Sequence, residues 1–377
     1  MSAARWRWRG SVALLAVAVA FVVYPLTEKG DDVINSDWPA FATGARLIVS
    51  DPGHLYKTEV QRRVELDVTG GRTLVTLGIN GILPFVAPAW VALPAVPFEL
   101  LGTELGGRLW ILFGLACLLV GLLLAVRPRP PSAVLPAFAS VPTALLLLNA
   151  QLDGLVALGV GAAMALWSRP YLAGIALGLT LMKPQLALPL GAALIATRHW
   201  KVLAGWAAAG ALLWAVPALL DPRWVFEWLP ALGGPVQPGS REIDLAHFAT
   251  ALPEASWRGL GVAALTAAGI GGVLALAYRV GSELRPAAAV LVAGGVLVAP
   301  HALPTDLVMI AVALAIWEKA RWHDWLLLSV GAAFCAVTPA PIPAVGGVLL
   351  VGWLCLRMAG AGWPSRRPRL ERGASSR

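Results

Sequence analysis

The chain has 377 residues, of which 58% are hydrophobic and only 13% are charged. A soluble chain carries about 25% charged residues, so this composition indicates an integral membrane protein. Glycine and proline are spread throughout the chain, which excludes collagen-like and low-complexity classes. The net charge of +8 would suggest nucleic acid as a partner of a soluble protein. In a membrane protein such an excess orients loops, so we expect membrane lipids and no nucleic acid as partners.

Apolar runs of about 15 to 22 residues recur along the whole chain. We predict twelve spans, near residues 11–26, 107–126, 133–149, 152–167, 170–183, 185–197, 200–219, 258–279, 286–300, 303–317, 324–338 and 342–358. Several runs are short for a full span, which is tolerable for broken helices only where irregular backbone is buried in protein or lines a cavity. The fold class predicted from this pattern is an all-α polytopic membrane protein, a single transmembrane domain over residues 1–377.

Two runs need separate treatment. The first has the basic flank and small residues of a signal peptide, but its apolar stretch continues to Leu26, which favours an uncleaved anchor. The run from Gly81 to Leu100 contains four prolines. Proline interrupts helices, so this run is predicted to be a proline-broken re-entrant or interfacial segment.

Charge predicts the sidedness of the loops. When the breaks between spans are assigned alternately, one side collects 18 of the 29 basic residues and only four of the 21 acidic ones. The positive-inside rule makes that side cytoplasmic. Both termini, including a basic tail over residues 359–377, are then cytoplasmic. The two long polar loops, 27–80 and 221–257, are predicted outside, so any chemistry is expected at the outer membrane face.

The first outer loop contains an ordered set of residues, Asp37, Phe41, Gly44 and Leu55-Tyr56, shortly after the first span. Later stretches follow in order: Ala87-Pro88 through Pro94, Asn149-Ala-Gln-Leu-Asp153, Ala173-Gly174 through Lys183-Pro184, and Ala299-Pro-His301 with Asp306. Together these stretches resemble glycosyltransferase family 87 of the GT-C superfamily, the polyprenyl-phosphate-mannose-dependent mannosyltransferases of actinobacteria. Two departures are visible: Asn149-Ala150 replaces a glycine, and the second outer loop lacks an N-x-S pattern, which leaves the acceptor open.

The resemblance implies a GT-C-type multi-span helical bundle with a catalytic first outer loop. It further implies an inverting enzyme that moves mannose from polyprenyl-phosphate-mannose to a glycolipid or lipoglycan acceptor outside the cytoplasmic membrane, often in α-(1→2) linkage. The lipid-phosphate sugar is then a co-substrate, and no cofactor is expected.

Asp37 is the candidate general base, since it matches the loop aspartate that the resemblance implies for this role. Transfer to a hydroxyl needs a group that accepts its proton, and a carboxylate near the membrane surface suits that task. Asp37 could instead be one of several solvated loop acids. Asp31 and Asp32 are the next candidates for the base.

Three basic residues are candidates for binding the donor phosphate. Lys183 is flanked by apolar residues, and an ionised lysine there is expensive unless it is paired or faces water; it could instead snorkel at a span end. His301 stands near Pro300 and Pro304, where packing is the alternative to phosphate contact. Arg46 offers a bidentate phosphate fork or a solvated side chain.

Gln151, Asp153 and Asp306 are candidates for binding sugar or acceptor, although the first two could be turn formers. The three cysteines, Cys117, Cys335 and Cys355, lie inside apolar runs and predict neither disulfides nor zinc ligation. No D-x-D pair or nucleotide-binding glycine loop is present in the sequence. We therefore expect no metal ligands and no nucleotide-sugar donor.

Two alternative functions remain open at this point. A transporter or flippase of a lipid-linked saccharide would also be polytopic with charged residues inside its spans. The long outer loop after span one and the lack of a visible repeat favour the enzyme. The same fold could also use an arabinofuranosyl or glucosyl lipid donor, and the residues do not separate these sugars.

Overall fold

A computed structural model describes residues 3–72, 83–232, 241–250, 258–281 and 283–360. Within these ranges every regular element is helical, which confirms the all-α prediction. Parts of both predicted outer loops (73–80, 233–240 and 251–257) and most of the predicted basic tail (361–377) lie outside the described residues.

The α-helices are numbered in chain order. They are α1 Ala3–Thr27, α2 Gly30–Ile34, α3 Trp38–Ser50, α4 Thr58–Val68, α5 Val96–Glu99, α6 Thr103–Ala125, α7 Leu135–Phe138, α8 Val141–Leu148, α9 Asp153–Ala165, α10 Pro170–Leu177, α11 Leu188–Ala196, α12 Trp200–Leu220, α13 Trp224–Leu232, α14 Leu245–Thr250, α15 Arg258–Arg279, α16 Leu284–Val298, α17 Val308–Trp317, α18 Trp322–Val337 and α19 Ile342–Met358. Short 3₁₀ turns extend several of them, including Gly178–Met182, Pro184–Ala187 and Pro304–Leu307.

All twelve predicted apolar runs are helical, but twelve complete crossings are not confirmed. By length and composition, four helices among the described residues could cross a membrane: Arg9–Thr27, Thr103–Ala125, Trp200–Leu220 and Gly259–Arg279. The pair Pro131–Phe138 and Val141–Leu148, bent by 67°, could form a fifth span. The other seven runs form apolar helices of 10–17 residues, which are shorter than the roughly 20 residues of a full span.

The proline-rich run contains no helix longer than four residues in its described part, residues 83–100. Two three-residue 3₁₀ turns, Ala89–Val91 and Leu93–Ala95, lead into the four-residue helix α5. Proline removes backbone donors and clashes with the preceding turn, so this segment folds as a chain of short turns. The prediction of a proline-broken segment is confirmed for these residues.

Burial separates central from peripheral helices. All ten residues of α17 are buried, as expected for a helix that is hydrophobic on every side. By contrast, only 11% of the most apolar window of α1 and of α15 is buried inside the protein. Since both helices are apolar, their exposed faces are suited to lipid.

A seam of glycines joins α6 to α9 and thereby fixes the position of the residues at the start of α9. A methyl group on Gly161 would collide with the backbone carbonyl of Gly121, and one on Gly154 would collide with that of Gly114. Small residues at membrane helix interfaces allow such close backbone approach. Asp153, the first residue of α9, is held in place by this contact.

We expect Gly161→Ala to force α6 and α9 apart and to lower the stability by about 1–3 kcal/mol, the usual cost of overpacking. Thermal unfolding of the purified protein in detergent measures this change. The control is Gly272→Ala on α15, where the added methyl group would meet open space. Equal midpoints for the two variants would contradict the seam.

Candidate active site

Asp37 immediately precedes α3 and is tied to the turn between α8 and α9. Its backbone N–H donates to the carbonyl of Asn149 at 3.3 Å, and its carboxylate accepts a hydrogen bond from the side-chain amide of Gln151. The next residue, Trp38, is completely buried and donates from Nε1 to the carbonyl of Thr103 at 2.8 Å. Asp37 is therefore fixed on both sides, although it remains partly exposed.

The turn that carries Gln151 has a left-handed backbone at Ala150, with φ of 51°. Glycine adopts this conformation without steric cost, whereas other residues rarely do. The resemblance implies glycine at this turn, and the positive φ gives a physical reason for it, but this chain has alanine. The carbonyl of Ala150 accepts a hydrogen bond from Trp110 Nε1 at 2.9 Å, which helps to hold the turn.

Lys183 lies between two 3₁₀ turns and faces two aspartates. Its Nζ is 2.8 Å from Asp153 Oδ2 and 2.5 Å from Asp306 Oδ1. The side chain of Lys183 is 11% exposed, while those of Asp153 and Asp306 are 0% and 3% exposed. A buried charge needs such partners because desolvation is otherwise uncompensated. The lysine predicted to bind phosphate is thus already paired, and the two carboxylates predicted to bind sugar face that lysine.

His301 follows α16 and contacts a residue of the second outer loop. Its Nδ1 is 2.9 Å from Glu242 Oε1; the histidine side chain is 56% exposed and the glutamate side chain only 2% exposed. Sequence reasoning missed Glu242. It lies in a polar loop about 60 positions before His301 in the sequence, and no spacing rule connects two such residues.

Burial, the largest effect, raises the pKa of the Asp37 carboxyl from 3.8 to about 6. The charges of Lys183 and His301 act in the opposite direction, and that of Asp306 adds to the rise. Residues 37, 183, 301 and 306 therefore lie within electrostatic reach of one another, and Gln151 and Asp153 contact members of this group. The structure brings together six of the seven predicted site residues.

Arg46 is the exception. Its guanidinium lies 2.6 Å from Glu99 Oε1 through one terminal nitrogen, and Nε donates to the same oxygen at 2.7 Å. Nine residues along α3 separate Arg46 from Asp37, which corresponds to about 13 Å of helix. The predicted phosphate ligand is therefore paired with Glu99 of the proline-broken segment.

Three residues of the second outer loop have ligand atoms close enough to hold a metal ion: those of Glu242, Asp244 and His247 lie within 4.8 Å of one another. The described contacts give Asp244 a different task. Its Oδ1 accepts the backbone N–H of His247 at 2.9 Å, as at a helix N-cap, and its Oδ2 accepts that of Ala302 at 2.9 Å.

Charged residues in the interhelical segments that the sequence assigns to the opposite side form a second, separate group. Glu318 lies 3.1 Å from Arg285 and 3.6 Å from Arg129, and Asp324 lies 3.0 Å from Arg357. Among the ion pairs of the described residues, none joins this group to the one around Lys183. The polar segments between helices thus form two separate clusters, one around Lys183 and one around Glu318 and Asp324.

We expect Lys183→Met to destabilise the protein by about 3–5 kcal/mol, because two buried carboxylates lose their counterion. The midpoint of chemical or thermal unfolding reports the loss. Removing one of the carboxylates as well, in Asp153→Asn/Lys183→Met, should recover part of it. Lys201→Met, at an exposed position on α12, is the control; a Lys183→Met variant as stable as this control would refute the pairing.

Comparison with known families matches residues 85–339, about two thirds of the chain, to the model of glycosyltransferase family 87. The matched range includes Gln151, Lys183, Glu242 and His301 and begins after Asp37. No curated protein and no solved structure matches the chain. The extent of the family match is sufficient for assignment, and the chain belongs to glycosyltransferase family 87.

Proposed function

We propose that this glycosyltransferase is an inverting enzyme that transfers mannose from polyprenyl-phosphate-mannose to a lipid-linked glycan, in α-(1→2) linkage, on the outer face of the cytoplasmic membrane. One observation carries the proposal: a partly exposed aspartate, Asp37, is fixed by Gln151 beside a charged cluster in an otherwise apolar bundle. Family membership favours this enzyme over the transporter alternative. The choice of mannose and of the linkage rests on the resemblance described above.

Asp37 is assigned the role of general base. It takes the proton of the acceptor hydroxyl while the oxygen attacks the anomeric carbon of the donor. The bond from that carbon to the phosphate oxygen breaks, and the lipid phosphate leaves with the bonding electrons. A carboxyl with a pKa of about 6 is ionised at neutral pH and is a stronger proton acceptor than an ordinary aspartate.

The departing phosphate needs a cation, and the contacts favour His301 over Lys183 for this task. Lys183 already neutralises part of the charge of Asp153 and Asp306, whereas the imidazole of His301 is more than half exposed. Burial alone would lower the pKa of His301, but its contact with Glu242 raises that pKa overall. Lys183 then acts indirectly: its ion pairs with the two aspartates hold together the interhelical turns that form the proposed donor site.

Two independent observations support the outer face as the location of the reaction. Basic residues segregate to alternate breaks of the sequence, and the breaks assigned to one side contact each other in space, as shown by Glu318 with Arg285 and Arg129. The breaks assigned to the other side surround Asp37. The positive-inside rule makes the Asp37 side the external one.

We expect Asp37→Asn to lower turnover by roughly 10²- to 10⁴-fold, the contribution of general acid–base catalysis, with little change in donor binding. The rate is measured by adding each purified variant to membranes that lack this protein and supply the acceptor, and by following the transfer of labelled mannose from polyprenyl-phosphate-mannose. Asp32→Asn, at an exposed position, is the matched control. Near-normal transfer by Asp37→Asn would remove Asp37 from the role, and transfer only from an arabinofuranosyl or glucosyl donor would change the sugar.

The same assay has a predicted pH dependence. A base must be ionised, so the rate should fall as the pH decreases through about 6, where Asp37 gains its proton. A wild-type rate that is flat between pH 5 and 7 would contradict an essential carboxylate with this pKa.

Cysteine labelling tests the sidedness. Glu59→Cys places a thiol where the native side chain is 79% exposed, and Lys319→Cys places one at an exposed position of the opposite group. The native cysteines are all buried, so background labelling should be low. An impermeant maleimide applied to intact cells should react with the first variant and reach the second only after lysis; the reverse pattern would overturn the topology.

A further inference from the structure

Glu242 carries a charge that the roles described so far do not explain. Its side chain is only 2% exposed, and neither carboxylate oxygen has a well-aligned hydrogen-bond partner among the described residues. Burial of a carboxylate is costly unless a positive group lies nearby. Since Oε1 is 2.9 Å from Nδ1 of His301, an ion pair with that imidazole compensates the charge.

We propose that Glu242 is a positioning residue, which holds the His301 ring so that its Nε2 edge faces the anionic group of the lipid donor. This role rests on the proposed function. Nδ1 and Nε2 lie on different edges of an imidazole, and a carboxylate at one nitrogen fixes the orientation of the ring and the proton on that nitrogen. With Nδ1 turned to the buried Glu242 and 56% of the side chain exposed, Nε2 is directed away from the glutamate.

Backbone hydrogen bonds between the neighbours of both residues hold this contact in place. The N–H of Ile243 donates to the carbonyl of Ala302 at 2.8 Å, and the N–H of Ala302 donates to Asp244 Oδ2 at 2.9 Å. Asp244 is completely buried and also caps α14. Two adjacent positions of the second outer loop are thus joined to the residue that follows His301, so the backbone segments that carry the glutamate and the imidazole are held next to each other.

The surroundings of His301 support an anion as the occupant. The charge of His301 lowers the pKa of Asp37, so the two candidate groups, base and phosphate ligand, lie within electrostatic reach of each other. The charged groups that interact with His301 are Glu242, Asp306, Lys183, Asp37 and His247. Lys183 is turned to two aspartates, whereas His301 pairs with one carboxylate among the described residues and has an exposed edge. An imidazolium with that edge free can donate to a phosphate oxygen.

The test measures binding of polyprenyl-phosphate-mannose to the full chain in lipid nanodiscs, without acceptor. We expect Glu242→Gln to weaken binding at least tenfold, Glu242→Asp to retain part of the affinity because it keeps the charge, and His301→Asn to weaken binding at least as much as Glu242→Gln. Glu227→Gln, which removes one charge from the same outer loop, should leave the dissociation constant within about twofold. Unfolding midpoints verify that each variant is folded.

A double-mutant cycle separates positioning from a merely structural effect. If Glu242 acts through His301, adding Glu242→Gln to His301→Asn should weaken binding no further, whereas independent contributions would multiply. Multiplying effects, or a Glu242→Gln variant that binds like the wild type, would overturn the proposal. Should Glu242→Gln not fold, Glu242→Asp replaces it. The proposal then expects the donor affinity of Glu242→Asp to lie between those of the wild type and of His301→Asn. An affinity lower than that of His301→Asn would overturn the proposal.

Two further outcomes have distinct meanings. Stoichiometric zinc or manganese in the purified protein, lost in Glu242→Gln and in His247→Ala, would identify a metal site and refute the pairing with His301. Wild-type protein that does not bind polyprenyl-phosphate-mannose would refute the donor assignment together with this proposal. Wild-type binding with no effect of Glu242→Gln would refute the positioning role alone and leave the Asp37 mechanism intact.

Discussion

The buried contact of Lys183 with Asp153 and Asp306 is the interaction on which the arrangement of the helices depends. In a bundle surrounded by lipid, none of these three charges is tolerable without the others. The start of α9, the break after α10 and the turn before α17 must therefore meet at one point. The glycine seam fixes α9 against α6. The ion pairs of Lys183 are therefore positioned relative to α6 and to the turn before α9, which holds Asp37.

This constraint also distributes the chemical roles. In the proposed mechanism, a lysine held by two carboxylates contributes structure and local charge, and another cation contacts the donor phosphate. His301 is exposed enough for that task and is supported from behind by Glu242. Asp37 lies within electrostatic reach of the same cluster, and burial raises its pKa to about 6. The proposed base and the proposed phosphate ligand thus differ in charge and stand in one site.

The two outer loops contribute differently to this site. The first delivers Asp37 through a short, fixed connection from α2 to α3, anchored by Trp38. In the second, Ile243 and Asp244 are joined to residue 302 by backbone and side-chain hydrogen bonds. Arg46, although in the first loop, pairs with Glu99 and so connects the loop to the proline-broken segment. The described parts of both loops therefore belong to the folded site.

The sequence by itself determined the class of protein, the positions of all twelve apolar helices and the interruption of the run after Gly81, because hydropathy and proline act locally along the chain. It also indicated most of the site candidates: Lys183 because a charged residue inside an apolar run is conspicuous, and the others chiefly through the family resemblance. Only the tertiary structure decided which charges neutralise each other. Lys183 meets Asp153 across 30 positions and Asp306 across 123, and the Glu242–His301 pair bridges two distant segments. Such pairings depend on how the helices pack, and helix packing is set by glycine seams and side-chain shape that hydropathy does not encode.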